Sequence, residues 1–129
     1  MDCLFCKIIN DEIPSYTIYE DEIVKVFLDI NPDANGHTLI VPKKHIVNIN
    51  DIDEETLLHI HKITKEIYAK MKANLGVIGL TLNQNNGHGQ IIKHYHLHLI
   101  PRYEDDNYHS CHNEDSIKNI DEVYVKLKG

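Results

Sequence analysis

Three histidines occupy alternate positions in the segment HYHLHLIPRY, residues 94–103. Because successive side chains of a β-strand point to opposite faces, a strand here would place His94, His96 and His98 on one face and apolar residues on the other. Residues two apart in a strand are separated by about 6.6 to 6.8 Å, so one metal ion cannot easily bind all three imidazoles. A single strand histidine is most often a half-buried polar group, but three in register favour a functional site.

A glycine-rich loop, NQNNGHGQ at residues 83–90, precedes the histidine row. Gly87 and Gly89 allow the backbone to approach a ligand closely and to turn its N–H groups outward, which is typical of phosphate-binding loops. Alone, this loop would be interpreted as an ordinary hairpin turn. Together with the imidazoles it indicates phosphoryl or nucleotidyl chemistry, in which the free nitrogen of a neutral histidine attacks phosphorus.

Cys3 and Cys6 form a C-x-x-C pair, which has the spacing of half a zinc site. A free thiol pair and a redox pair are the alternatives, but a redox pair usually follows a strand and only two residues precede Cys3. An odd number of cysteines fits a reducing compartment better than a disulfide framework. We expect His109, Cys111 and His112 to be simply exposed.

Length, composition and charge limit the class of protein. A chain of 129 residues with 42% hydrophobic residues can form one domain with a core. The net charge of -7 argues against nucleic acid as a partner, although local donors could still hold a small anionic ligand. The opening MDCLFCKIIN lacks a basic leader region, and no run of about 18 apolar residues indicates a membrane span. We expect a cytoplasmic protein without membrane contact.

The order of elements predicts an α+β fold, with a meandering antiparallel sheet and one long helix on a face. The helix is the clearest element, because Asp53 can cap its start and apolar residues recur at helical intervals until Gly76. His59 and His61 fall on different sides of this helix and are expected to be solvent-exposed. The other predicted elements are a short helix over 4–10, strands over roughly 16–20 and 23–30, strands in HTLIVP, GLTLNQ and KHYHLHLIPR, the last ended by Pro101, a loop over 104–114, and a closing helix or strand.

The sequence resembles the histidine triad (HIT) family of nucleotide hydrolases and transferases. The segments that carry the resemblance are, in chain order, FCKIINDEIPS, VFLDINPDANGHTLIVPKKHI, LTLNQNNGHGQ and GQIIKHYHLHLIPRY. The resemblance covers about residues 3–103 and leaves 104–129 as a variable segment of one HIT domain spanning 1–129. It implies a five-stranded antiparallel sheet with one long helix and short terminal helices, and a homodimer built around a joint sheet.

The resemblance also implies the reaction and its residues. His96 would attack the α-phosphorus of a purine nucleotide derivative and form a nucleotidyl-histidine intermediate, which water then hydrolyses. His98 and His37 would lie near the phosphate oxygens and bind or protonate the departing side. The implied nucleotide-binding set comprises an apolar base slot, a ribose-binding carboxylate and phosphate donors: Phe5, Ile8, Phe27, Ile30, Asp29, Asn83, Gly89 and Gln90. Without the resemblance, the four apolar residues would be assigned to the core.

In some branches of the HIT family the N-terminal cysteine pair is joined by two histidines. Carried over to this chain, the structural zinc ligands are Cys3, Cys6, His45 of the segment PKKH, and His94. The first histidine of the row would then stabilise the fold through the metal and take no part in catalysis.

One position departs from the family pattern. Ile91 stands where many active members carry Ser or Thr, so this chain lacks a hydroxyl beside the phosphate and the leaving group. Loss of one such donor can cost about 10²-fold in rate. Two alternatives therefore stay open: a nucleotide-binding sensor or scaffold with little turnover, and a metal-dependent hydrolase that uses paired histidines. Among phosphoramidates, acyl-nucleotides and dinucleoside polyphosphates, the residues select no single leaving group.

Overall fold

The computed structural model describes residues 2–109 and 111–129 of the chain. Its regular elements are α1 (Leu4–Ile9), β1 (Thr17–Glu20), β2 (Val24–Leu28), β3 (Thr38–Pro42), α2 (Glu54–Leu75), β4 (Gly79–Asn83), β5 (Leu97–Arg102), a 3₁₀ turn (Glu114–Ser116) and α3 (Ile120–Lys128). The strands form one antiparallel sheet in the order β1-β2-β3-β5-β4. The predicted α+β fold with five antiparallel strands, one long helix and short helices is confirmed.

The two faces of the sheet bury two different apolar clusters. Helix α2 packs its buried stripe on one face, where Ile40 and Leu99 belong to the same cluster. On the other face α1 covers Phe27 and Leu39. The alternation of strand side chains explains this division, since neighbouring residues of β2 and β3 enter opposite clusters. Because His98 pairs with Leu39 in the register, its side chain lies on the α1 face.

Both ends of α2 are set by the residues that the sequence indicated. The Asp53 side chain accepts the N–H of Thr56 at 3.0 Å, which satisfies one of the unpaired donors of the first turn. At the other end Gly76 adopts φ +68°, a left-handed conformation that glycine tolerates best. The 22-residue helix between them buries a stripe of apolar side chains against the sheet, namely Ile60, Ile63, Ile67 and Met71.

Helix α1 is held on the sheet by a buried lysine. Lys25 of β2 is 2% exposed, and its ammonium donates to the Ile8 carbonyl at 2.9 Å and to Asp11 at 2.8 Å. The bond to Ile8 satisfies a carbonyl at the carboxyl end of the helix, where a cation is also favoured by the helix dipole. This anchor matters for the site because α1 forms one of its walls.

The predicted limits of the fifth strand were wrong at both ends. His94 and His96 precede β5, because the register with β3 runs only from Ile40 opposite Leu97 and the chain before it bonds elsewhere: Tyr95 donates its N–H to Ile46 at 2.6 Å. Pro101 lies inside β5 and does not end it. A proline is tolerated there because the β3 pairing stops at Leu99, so the missing N–H leaves no β3 ladder bond unmade.

The prediction that both histidines of α2 are surface decoration was wrong for His59. Its Nε2 lies 2.7 Å from Asp21 Oδ2, which also accepts the Tyr19 hydroxyl, while His61 is exposed. Burial by itself would raise the pKa of Asp21, but hydrogen bonds from the Val24 N–H, His59 and Tyr19 overcome it and hold that pKa well below its usual range. The cluster ties the β1–β2 hairpin to α2.

After β5, the described residues 107–109 and 111–129 are exposed. The closing element is a helix, α3, whose start is capped by the Asn119 side chain at 2.8 Å from the Asp121 N–H. His109, Cys111 and His112 are exposed as expected. Among the residues that the structure describes, no helix combines the length and apolar composition needed to cross a membrane.

Candidate active site

A cavity of about 390 Å³ opens between α1, the end of β2 and the glycine-rich loop. It brings together most of the residues predicted to bind or transform a nucleotide: Phe5, Ile8, Phe27, Asp29, Ile30, Gly89, His96 and His98. Its volume lies in the range of small-molecule sites. Asn85 also lines the cavity, and the sequence interpretation did not include it. Its position in the glycine-rich loop could have indicated this, because a side-chain amide there can donate hydrogen bonds to a ligand.

The tautomer of His96 is fixed by a hydrogen bond to the backbone just before β5. Its Nδ1 lies 2.7 Å from the carbonyl oxygen of His94, and a carbonyl can only accept, so Nδ1 carries the proton. The lone pair is therefore on Nε2. Burial lowers the pKa of His96 below its ordinary value of 6.5, which keeps the ring neutral at neutral pH. A neutral imidazole with one free nitrogen beside a cavity is equipped to act as a nucleophile.

A hydrogen bond from His37 sets the tautomer of His98. The Asp33 N–H donates to Nδ1 of His37 at 3.0 Å, so the His37 proton is on Nε2. That N–H donates to Nδ1 of His98 at 2.9 Å, which leaves His98 with its own proton on Nε2. Burial, with smaller contributions from His96 and His37, lowers the pKa of His98 to about 4. His98 therefore offers the cavity a neutral N–H donor.

His37 does not reach the cavity wall. It is 2% exposed and lies behind His98, with Oδ2 of Asp29 at 3.6 Å from its Nε2. Asp29, His37 and His98 are close enough to be considered as a metal site. The short hydrogen bond between His37 and His98 argues against a metal site, because it already occupies Nε2 of His37 and Nδ1 of His98.

The apolar wall of the cavity comes from α1 and β2. The Phe5 ring meets Phe27 and His96 edge-on, with centroids 5.8 and 5.0 Å apart. Ile8 is buried beside them, and Ile30 at the mouth is 77% exposed. Asp29 lies next to Ile30 and uses one oxygen, Oδ1, to accept the Asn31 N–H at 2.8 Å. The result is a slot with apolar sides and a carboxylate at its edge.

The glycine-rich loop contributes mainly backbone to the site. Gly89 lines the cavity with φ +92°, a conformation that most side chains would strain. Gln90 is buried: its Nε2 donates to the Val47 carbonyl at 2.6 Å and its Oε1 accepts the Gly87 N–H. The structure thus does not bring Gln90 to the cavity wall. Asn83 is also outside the wall, although it lies opposite His98 in the register of β4 and β5.

A second cluster lies behind the cavity. Cys3, Cys6, His45 and His94 place one ligand atom each within 4.8 Å of one another. Nδ1 of His94 is 3.4 Å from Sγ of Cys3 and 3.5 Å from Sγ of Cys6, and Nδ1 of His45 is 3.2 Å from Sγ of Cys6. The four residues that the family resemblance named as metal ligands therefore converge.

This donor set fits a tetrahedral metal ion. With Zn–S and Zn–N bonds of about 2.3 and 2.0 Å, sulfur and nitrogen ligands of one zinc ion lie roughly 3.5 Å apart, close to the spacings in the cluster. His94 Nε2 lies 2.8 Å from the Pro42 carbonyl, which fixes the proton on that atom and frees Nδ1 to coordinate. His94 thus connects the cluster to the cavity: its ring belongs to the cluster, and its carbonyl oxygen accepts the hydrogen bond from His96.

Comparison with known proteins identifies the family of the chain. Residues 10–105 match the HIT domain family. The chain belongs to the HIT family. The family resemblance drawn from the sequence is thereby confirmed.

Relatives of this HIT protein cover from about four fifths to nearly all of its length. An uncharacterized HIT-like protein of Methanocaldococcus jannaschii is 44% identical over 129 residues, covering 98% of this chain and 99% of that one. An adenosine 5'-monophosphoramidase of Saccharomyces cerevisiae is 41% identical over 105 residues, covering 80% and 64%. The crystal structure of a HIT family member from Bacillus subtilis superposes with a TM-score of 0.83 at 36% identity, covering 99% and 94%.

Proposed function

We propose that this HIT protein cleaves nucleoside phosphate derivatives at the α-phosphorus through a covalent nucleotidyl-His96 intermediate. The observation that carries the proposal is the 2.7 Å bond from His96 Nδ1–H to the His94 carbonyl, which leaves the Nε2 lone pair beside the cavity. The similarity to an adenosine 5'-monophosphoramidase supports a purine phosphoramidate among the substrates. Acyl-nucleotides and dinucleoside polyphosphates share the same reacting phosphorus.

In this reaction the His96 Nε2 lone pair forms a bond to the α-phosphorus while the bond to the leaving group breaks. The leaving group departs with the electron pair of the broken bond, and an amine leaving group also takes up a proton from the solvent. The nucleotidylated His96 stays oriented by its Nδ1–H bond to the His94 carbonyl. Water then attacks the same phosphorus and releases one proton, the P–N bond breaks, and its electron pair returns to Nε2. The products are the leaving group, a nucleoside monophosphate and the free enzyme.

The other residues bind and orient the substrate. His98 donates its Nε2–H to a phosphate oxygen, and His37 positions His98 from behind. Asp29 accepts the ribose hydroxyls with the oxygen that Asn31 leaves free. The base lies in the slot formed by Phe5, Ile8, Phe27 and Ile30. The phosphate donors are the backbone at Gly89 and, from just outside the cavity wall, the side chain of Asn83, which lies opposite His98 in the strand register. Gln90 holds the loop in place.

We propose a structural zinc ion at Cys3, Cys6, His45 and His94. These four side chains would hold the ion, whose charge would offset that of the thiolates, and together they would link α1 to the segments before and after the long helix. Its ligands touch the site only indirectly, through Phe5 of α1 and the carbonyl of His94. Metal analysis of the purified protein tests this assignment.

We further propose that residues 1–129 form one HIT domain and that two copies pair around a joint sheet. The open edge of β4 supports the pairing, because Leu82 there is 43% exposed and the preceding Ile78 is 67% exposed. Cysteines kept as free thiols or metal ligands suit the cytoplasm. The acidic net charge supports a small-molecule substrate over nucleic acid or a membrane surface.

The decisive experiment detects the adduct. Native protein and the His96→Ala variant are mixed rapidly with an adenosine phosphoramidate, and intact-protein mass spectrometry follows the gain of one adenosine monophosphate. His61→Ala serves as a matched control, since His61 is exposed on α2 and lies outside the cavity. We expect a transient adduct in the native and control proteins and none in His96→Ala. An adduct that persists in His96→Ala refutes the assigned nucleophile.

Ile91 favours a second candidate, a nucleotide-binding protein with little turnover. Its side chain is 92% exposed at the rim of the cavity and supplies no hydroxyl. Under this alternative the native chain binds adenosine monophosphate but forms neither adduct nor product. The same experiment therefore separates the two functions.

A further inference from the structure

The closing helix α3 carries an exposed apolar stripe. Ile120, Val123, Tyr124 and Leu127 recur at helical spacing and therefore lie on one side of the helix. Their exposed fractions run from 47% for Val123 to 86% for Leu127. A helix of nine residues is marginal in water without packing. We therefore expect another surface to cover the stripe.

The charged residues of α3 indicate which surface fits. Asp121 and Glu122 lie in its first turn, and Lys126 and Lys128 lie in its last turn. At about 100° per residue, Asp121 and Lys128 border the same side of the stripe. The Lys128 ammonium lies 5.5 Å from the centroid of the Tyr124 ring, next to the stripe. Glu122 and Lys126 fall toward the other side. Each side of the stripe thus has an acidic end and a basic end.

A second copy of α3 in antiparallel orientation matches this charge pattern. Across a two-fold axis each side of the stripe meets the same side of the other helix, reversed end to end. Asp121 of one copy then lies beside Lys128 of the other. Parallel helices would instead bring the acidic ends together and the basic ends together. The charges therefore favour antiparallel pairing of α3 with itself.

The small size of α3 means that this pairing must add to another interface. Stable interfaces use about 20 to 30 residues from each partner, and α3 offers nine. The joint sheet proposed above supplies the remainder at the β4 edge. Arg102 at the end of β5 pairs with Gly79 at the start of β4. The segment that leads to α3 therefore leaves the sheet beside the edge at which two copies would meet.

The connecting segment is long enough to bring the two helices together. Two copies joined along β4 place their β5 strands about three strand spacings, or roughly 15 Å, apart. Hydrogen bonds from Arg102 to Asp106 hold the first residues after β5 near its end. From there, residues 109–119 span up to about 35 Å when extended. Both copies of α3 are therefore within reach of one two-fold axis.

We propose that α3 pairs antiparallel with α3 of a second copy and so joins the two chains beyond their β4 edges. This inference rests on the pairing around a joint sheet proposed above. The apolar stripes meet at the centre, with Tyr124 near the two-fold axis and Ile120 near Leu127 of the other copy. Asp121 and Lys128 pair across the interface. Burial of the stripe supplies the packing that so short a helix needs.

Disulfide trapping at the two-fold axis tests the pairing. Tyr124→Cys is introduced into the full chain together with Cys111→Ser, because Cys111 is an exposed thiol. Facing Cα atoms of two packed helices lie about 5 Å apart, which a disulfide spans. Val125→Cys is the matched control, since Val125 is also exposed but points away from the stripe. Mass spectrometry under denaturing, non-reducing conditions measures the linked chains after mild oxidation.

Tyr124→Cys should link at least about tenfold faster than Val125→Cys, because thiols held at an interface react at effective concentrations near millimolar. Leu127→Cys should also link slowly, since antiparallel pairing separates the two copies of this position along the helix axis. Equal rates at positions 124 and 125 overturn the inference, because α3 then packs elsewhere or stays free. Fast linking at position 127 indicates parallel helices and overturns it as well.

Charge reversal tests the orientation independently. Asp121→Lys chains and Lys128→Glu chains, each with Tyr124→Cys and Cys111→Ser, are mixed, allowed to exchange subunits and oxidised. Unlike chains in an antiparallel pair form two ion pairs, whereas like chains oppose equal charges. The ratio of unlike to like links should exceed its chance value by about threefold, given the modest strength of exposed ion pairs. A ratio at the chance value overturns the antiparallel alignment.

Sedimentation of the native protein separates failure of this inference from failure of the proposals on which it rests. A dimer that shows no fast linking at position 124 overturns the α3 pairing and leaves the joint sheet standing. A monomer without linking overturns both. Neither measurement uses a substrate, so the result is independent of whether His96 forms a nucleotidyl intermediate.

Discussion

His37 provides the sharpest test of how the site is organised, because it is buried behind His98 and does not line the cavity. Its Nε2–H bond to His98 at 2.9 Å sets which His98 nitrogen carries the proton. If His37 acts only through His98, its removal matters only while His98 is present. A double-mutant cycle of His37→Ala and His98→Ala measures this dependence.

The expected losses in kcat/KM follow from the hydrogen bonds that each variant removes. His37→Ala removes one hydrogen bond between neutral groups, worth about 1 kcal/mol, so we expect a loss of about fivefold in kcat/KM. His98→Ala removes a donor to the phosphate and should cost about 10² to 10³-fold. The double variant should lose no more than His98→Ala alone.

The assay is steady-state hydrolysis of an adenosine phosphoramidate by all four proteins, with circular dichroism and thermal unfolding to verify the fold. His37→Gln keeps an N–H for His98 and should recover most of the activity. A double variant that is about fivefold slower than His98→Ala refutes the reasoning, because the two losses then multiply and His37 acts on the substrate independently of His98.

Three further predictions concern the metal cluster and pH. Purified protein should contain one zinc ion per chain, and His45→Ala should lose both the ion and thermal stability; an unchanged zinc content by metal analysis contradicts the ligand set. Folding lowers the pKa of His98 from 6.5 to about 4, so the unfolded chain takes up a proton at a higher pH than the folded chain. The free energy of unfolding should therefore decrease as the pH drops from 6.5 to about 4. Urea unfolding should show a smaller decrease for His98→Gln. The lowered pKa of Asp21 contributes stability above about pH 4 that is lost progressively in stronger acid. Asp21→Asn should therefore destabilise the protein less at pH 2 than at pH 7, and equal effects at both pH values contradict this.

Much of the fold was predictable because its signals are local. The cap at Asp53, the helical spacing that follows and Gly76 define α2 from neighbouring residues alone. The alternation around His98 likewise placed the histidines and the leucines on opposite faces. The family, its fold and most residues of the cavity followed from ordered segments of sequence that resemble HIT proteins.

Features that depend on distant partners were not predictable from local pattern. His59 is joined to Asp21, which is 38 positions away, so helical spacing alone wrongly placed it at the surface. The position of Pro101 inside β5 is not evident from the sequence, because where β5 stops pairing with β3 depends on a strand that is distant in the chain. Gln90 was expected beside phosphate, and its amide instead binds Val47 across 43 positions.

The amino-acid sequence specifies which chemical groups this protein has: imidazoles in alternation, a glycine-rich loop, a cysteine pair and an isoleucine in place of a residue with a hydroxyl. The folded chain is needed to establish which nitrogen of each imidazole carries the proton. The three histidines of the row are the same residue type, but their hydrogen-bond partners differ. The partner is the Pro42 carbonyl for His94, the His94 carbonyl for His96, and His37 for His98. A histidine's tautomer is set by the hydrogen bond of its other nitrogen, and that partner is supplied by the folded chain.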